Sequence, residues 1–221
     1  MEVRKILELE SLISKLDGLR TLFVYDSVYA IRSLLFNHLI PHFKYKNVYI
    51  AIYTETMYRR LEMFLKSYPK ESLKDINIIK IGLKKETTFG KLYEFISETT
   101  WYRKFINTIK KLGKNDVLIL HGFSILPIIE GRKGLTDIIR LLDSVDKDLT
   151  VIGKYADRLY DEKVKALLER FYDVVIRVSR FKENYLDLNY SIEIDQSIIA
   201  DLIPGNIGRF KIENGKLVRI C

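Results

Sequence analysis

The chain has 221 residues and a mass of 26.0 kDa, enough to bury a full core, and its 48% hydrophobic and 12% aromatic content excludes a disordered chain. Its longest apolar runs, such as Val48–Tyr53, are broken within a few residues, none approaching the roughly 20 residues of a membrane helix. The net charge of +8 and pI near 9.3 suit a nucleic-acid or anionic partner, but the basic residues are scattered among acids and form no polybasic tail.

Residues 3–16 place Val3, Ile6, Leu7, Leu9, Leu12, Ile13 and Leu16 near a 3.6-residue period, the pattern of an amphipathic helix ended by Gly18. Met1–Ile6 carries no signal-peptide cleavage pattern, so a cytoplasmic protein is expected. Thr21–Tyr25 reads as a buried strand. Ser27 can then cap a helix running to about Lys44, which Pro41 should kink or end early. Asn47–Thr54 is a second strand, Met57–Tyr68 a helix closed by Pro69, and Ile76–Ile81 a third strand.

A long helix is predicted from Phe89 to Leu112, stopped by Gly113. Asp116–Leu120 is a strand, Lys133–Val145 a helix, Leu149–Gly153 a strand, Asp161–Phe171 a helix and Val174–Val178 a sixth strand. The rhythm then changes. Tyr185–Ile194 alternates like a half-buried antiparallel strand, and Gly208–Ile212 with Leu217–Ile220 predict a hairpin turning at Asn214-Gly215. Strand–helix alternation followed by antiparallel strands implies an α/β fold of three layers, its mostly parallel sheet extended by C-terminal antiparallel strands. One domain is expected over 1–221: an N-terminal helix in 1–17, an α/β core in 18–180 and edge strands in 181–221.

Cys221 is the one cysteine and stands at the chain end, so neither an internal disulfide nor a cysteine metal cage is expected. Gln196 is the one glutamine among abundant Lys, Glu and Ile, a balance typical of thermophiles.

The order of segments from about residue 18 onward resembles that of the RecA/KaiC-like ATPases. Thr21–Tyr25 stands where that family's first strand feeds its phosphate loop, and Val48–Glu55 where its second strand ends in a catalytic acid. Asn115–His121 resembles the strand ending in the magnesium-binding aspartate, Phe171–Val178 a later core strand, and Gly208–Val218 the closing hairpin. A closer likeness is to a family of Thermococcales proteins of unknown function, carried by Tyr25-Asp26-Ser27 and Ile79-Lys80-Ile81-Gly82.

The departures from the ATPase pattern are chemical. A phosphate loop needs glycines so that backbone N–H groups can face the phosphates, and a lysine to reach their outer oxygens. Leu22–Ala30 contains neither, and Asp26 puts a negative charge at the mouth. His121 replaces the magnesium aspartate, and imidazole serves hard Mg²⁺ poorly. The resemblance therefore implies a RecA-like fold with ATP binding and hydrolysis lost, no cofactor, and a role in interaction or regulation. The implied partner is another protein, such as an active ATPase of similar fold, or a second copy of the chain.

Two further readings stay open. Asp26, Ser27, Glu55, His121, Lys154 and Asp157 fall at or just past predicted strand ends, where ligands bind in open parallel sheets, and could support metal-assisted or acid–base chemistry. Polar residues gather at such ends in any α/β protein, however, and Asp26 can form an Asx-turn while Glu55 caps a helix. Trp101, Tyr102, Arg103, Lys104, Lys110 and Lys111 could form a stacking, basic face for nucleic acid or a protein partner. Aromatics on such a helix also suit a core. His38 and His42 have ligand spacing, but Pro41 lies between them and a packing or surface role fits better.

Overall fold

The computed structural model describes residues 8–68, 73–181 and 189–220. In chain order these form α1 (Leu9–Ser14), β1 (Arg20–Tyr25) and α2 (Val28–Ser33), which runs through a π turn (Leu34–Leu39) into α3 (Ile40–His42). β2 (Asn47–Tyr53), α4 (Glu55–Leu65), β3 (Asn77–Gly82), β4 (Lys91–Ser97), α5 (Trp101–Ile109) and β5 (Asp116–His121) follow. Then come α6 (Leu126–Glu130), α7 (Arg132–Ser144), β6 (Thr150–Ala156), α8 (Glu162–Glu169), β7 (Val174–Phe181), β8 (Asn189–Ser197), β9 (Gly205–Glu213) and β10 (Lys216–Ile220). The architecture is α/β, with mostly parallel strands and an antiparallel C-terminal extension.

Two compact units divide the chain: residues up to Lys44 with those from Lys154 onward, and residues Tyr45–Gly153. In the first, the strand order is β10-β9-β8-β7-β1; β1 and β7 are parallel and the others antiparallel. Its core includes Leu12, Ile13, Leu16, Phe23, Ile31, Leu34 and Val174, all buried. Ser27 caps α2 by accepting the Ala30 N–H at 3.4 Å, as expected.

Pro41 does not end the helix. A proline ring collides with the carbonyl four residues back, here that of Asn37, and the widened π turn falls across that position. The π turn also grips the C-terminal hairpin. That hairpin turns at Asn214 (φ 49°) and Gly215 (φ 81°), the paired positive angles of a two-residue turn that matches strand twist. The Gly215 carbonyl accepts Ser33 Oγ and Asn37 Nδ2, each at 2.6 Å, and His38 Nε2 accepts the Leu217 N–H at 3.2 Å.

In the second unit the order is β6-β5-β2-β3-β4, with every pairing parallel. Its aromatic centre packs Trp101 on Tyr53 at 5.1 Å and Phe105 on Phe123 at 5.0 Å. Gly134 of α7 lies so close to α6 that a Cβ would sit 2.2 Å from the Leu126 carbonyl oxygen. Only glycine permits that approach.

The long helix expected over Phe89–Leu112 is corrected: its first part is β4, and a helix begins only at Trp101. Parallel neighbours ordinarily need a crossover of a dozen or more residues, usually helical. Here β3 joins β4 through residues 83–90 alone, a parallel connection without the helix that the β–α–β rhythm implies. β6 and β7 also extend beyond their expected ends, to Ala156 and Phe181, and α6 was not foreseen. The expected helix over 3–16 is described only as α1. Pro69, Cys221 and the start of the Tyr185–Ile194 strand lie outside the described residues.

The His38 contact generates a pH prediction. Burial foremost, then the Lys216 charge, pushes the imidazole pKa down, while Glu10 opposes. The unfolded chain therefore takes up this proton first, at roughly pH 6.5. His38's contribution to stability is complete above that pH and is lost as pH falls through and below it. Thermal unfolding between pH 8 and pH 5 should show a steeper acid loss for the native chain than for His38→Gln. Parallel pH slopes would contradict this.

Candidate functional site

The turn after β1 is closed by its own aspartate. Asp26 N–H donates to the Val178 carbonyl at 3.2 Å, continuing the β1–β7 ladder. Both Asp26 carboxylate oxygens then accept the next inward-facing β7 amide, that of Arg180, at 2.8 and 2.9 Å. The side chain thus does what another residue of strand would have done. Ser27 beside it is fully buried, with its hydroxyl held as the helix cap.

Lys154 lies within β6 rather than past its end, a correction that follows from the longer strand. Its ammonium sits 5.7 Å from the centre of the Tyr25 ring. Burial, then the Arg32 charge, pushes its pKa down to about 8. Asp157 follows β6 and pairs with Lys165 at 3.3 Å and Arg177 at 2.7 Å; Arg177 reaches on to Asp195 at 2.7 Å. Burial raises the Asp157 pKa, but the Lys165 hydrogen bond and the two cations outweigh it and hold the carboxyl below its ordinary range.

In the second unit, Glu55 opens α4 directly after Thr54, whose φ of 78° is rare for a β-branched residue. That backbone lets Thr54 donate its N–H to Ile81 O at 3.0 Å and cap the Met57 N–H through Oγ1 at 3.3 Å. It also aims Glu55 at Lys80, a lysine 1% exposed in the middle of β3. Lys80 Nζ lies 3.3 Å from Glu55 Oε1, donates to the Glu86 carbonyl at 2.9 Å and stands 3.8 Å over the Tyr58 ring. Glu55 Oε2 accepts the Lys84 N–H at 3.4 Å, and Tyr58 OH accepts the Thr88 N–H at 2.6 Å.

Lys84, Glu86 and Thr88, all within residues 83–90, supply most of the remaining partners, and Glu98 Oε1 accepts the Glu55 N–H at 3.2 Å. The ion pair fastens the short parallel crossover. Lys80 was visible in the sequence as one cation inside Ile78-Ile79-Lys80-Ile81, but its partner was not.

His121 is the last residue of β5, opposite Ile52 of β2. Among the described residues no group of three or more His, Cys, Asp or Glu side chains is arranged to hold a metal ion. His38 serves the hairpin, and His42 packs edge-on against Phe43 at 5.2 Å.

The proposed stacking face needs correction. Trp101 is 5% exposed and fills the aromatic centre, with Tyr102 half-buried edge-on against it at 5.4 Å. Lys104 is held over β4, donating to the Phe95 carbonyl at 2.8 Å and pairing with Glu94 at 3.1 Å. Arg103, Lys110 and Lys111 are exposed. No helix among the described residues is long and apolar enough to cross a membrane.

If Glu55 chiefly neutralises Lys80, Glu55→Ala should destabilise the protein by about 3–5 kcal/mol, because it strands a buried charge. Replacing both partners by apolar residues, as in Glu55→Leu with Lys80→Met, should recover most of that loss. Denaturant unfolding tests both variants, and a loss well under 1 kcal/mol for Glu55→Ala would sink the assignment.

No protein-family model and no curated protein matches the chain. Solved structures do. A Pyrococcus horikoshii OT3 protein designated PH0250 is similar at a TM-score of 0.66 and 15% identity, over 95% of this chain and 97% of that one. The KaiC-like protein PH0186 of the same organism is similar at 0.53 and 13%, over 93% and 90%. The flagellar accessory protein FlaH of Methanocaldococcus jannaschii is similar at 0.56 and 12%, over 93% and 90%. These identities speak for fold alone, and the fold of this chain is the RecA/KaiC-like α/β fold.

Proposed function

We propose that this chain is a RecA/KaiC-like protein that has lost ATP binding and hydrolysis and acts as an interaction or regulatory module. The observation carrying the proposal is the Asp26–Arg180 closure. Where a phosphate loop would present backbone N–H groups to an anion, a carboxylate is fixed instead by two short hydrogen-bond distances. A like charge about 4 Å from phosphate costs ~4 kcal/mol at an effective dielectric of 20. No glycine or lysine between Leu22 and Ala30 compensates.

The other parts of a nucleotide site are also committed elsewhere. Glu55, at the position of the catalytic acid, neutralises Lys80, and His121 stands in place of the magnesium aspartate. Chemistry at the remaining strand-end residues has less support, since Asp26, Glu55 and Asp157 each already serve a structural partner. One structural neighbour is an accessory protein by name, which fits a part played within an assembly. A protein partner or self-association follows from the same reading.

Thermal unfolding with millimolar ATP and Mg²⁺ tests the proposal, because a ligand of the native state raises the melting temperature by mass action. The melting temperature should not move. A nucleotide-dependent rise, or ATP turnover abolished by Glu55→Gln, would overturn the reading.

A further inference from the structure

Beside the C-terminal strand lies a cavity of about 320 Å³, bounded by Glu8, Leu9 and Glu10 on one side and Phe210, Leu217 and Arg219 on the other. Its lining is mixed: apolar Leu9, Phe210 and Leu217 stand beside the exposed carboxylates of Glu8 and Glu10, which make an acidic lip. Within a chain of net charge +8, the lip carries two carboxylates and one guanidinium. That guanidinium is turned back, Arg219 Nη2 donating to the Ile207 carbonyl at 3.2 Å.

Among the described residues β10 is also the last strand of its sheet, paired on one side with β9. In an antiparallel ladder the N–H and C=O of one residue share a direction, which reverses at the next residue. Leu217 gives its N–H to His38, away from β9, so the same alternation turns the N–H and C=O of Arg219 outward beside the cavity. Val218, also on the cavity wall, is 36% exposed.

We propose that this groove receives an extended segment of a partner protein, added as a further strand on β10. The segment would place an apolar side chain against Leu9, Phe210 and Leu217 and a lysine or arginine between Glu8 and Glu10. Main-chain bonds to Arg219 would supply affinity, and the pocket and acidic lip selectivity. Two carboxylates against one guanidinium favour a basic segment over phosphate-rich nucleic acid at this lip. A second copy fits less well, because antiparallel self-pairing centred on Arg219 sets two arginines directly opposite each other.

The inference rests on the interaction-module reading and identifies its surface. Its test is fluorescence anisotropy of a short labelled peptide of alternating valine and arginine. Two companion peptides carry glutamate in place of arginine, or N-methyl groups on the strand-pairing amides. The arginine peptide should bind saturably and the other two should not. Glu8→Gln with Glu10→Gln should weaken binding by ~3- to 10-fold, as two exposed ion pairs allow, with an unchanged melting curve showing the variant folded.

Absent binding, equal binding of the glutamate or N-methylated peptide, or indifference to the double substitution would overturn the groove assignment. So would a dimer in light scattering that Arg219→Pro dissociates, since a second copy would then be the occupant. These outcomes leave the parent reading standing, which falls only on nucleotide binding, measured separately.

Discussion

The bond between the Asp26 carboxylate and the Arg180 amide sets the character of this molecule. In a sheet of this kind, the end of the first strand is where the backbone is free to turn its N–H groups outward to a ligand. Here an exposed anionic side chain turns toward β7 to finish the ladder between β1 and β7, and the helix that follows is capped by a buried serine. The Asp26 N–H, the Asp26 carboxylate and the Ala30 N–H all find partners within the protein. Anion-binding geometry would require breaking those contacts and removing the charge at the same place.

The same economy recurs at the end of β2. The glutamate that resemblance assigns to catalysis faces a lysine 1% exposed, and together they secure an eight-residue parallel crossover by bonds to its backbone. Desolvating a pair of ions is costly, so its retention fits a role in holding one conformation of a connection otherwise too short to be regular. The Thr54 backbone strain, of order 1–3 kcal/mol for such a conformation, is sustained by the cap and strand bonds around it. At the C-terminal end, the π turn forced by Pro41 similarly becomes a clamp on the hairpin.

Much of this fold was legible in the sequence because hydrophobic period and turn chemistry are local. Ser27, Asn214-Gly215 and the runs Val48–Tyr53 and Val174–Val178 announce their structures without reference to distant residues. β4 was not legible. Lys91–Ser97 mixes apolar and polar residues on an edge strand, and the expectation of a helix between parallel strands outweighed its weak alternation. The candidate site was legible as a set of positions and illegible as a set of pairings. Nothing local in Asp26, Glu55 or Lys80 specifies Arg180, Lys80 or Glu86 as partner, since the first of these lies 154 residues away. Trp101 illustrates the converse: basic neighbours suggested a surface, whereas Tyr53 and Phe123 make it core.

Amide hydrogen exchange at Arg180, with and without ATP and Mg²⁺, reads the central bond directly. The account predicts slow exchange that accelerates in Asp26→Ala and does not respond to nucleotide. Fast exchange in the native chain, or a change of protection on adding ATP and Mg²⁺, would mean that the turn after β1 is open to phosphate and would contradict it.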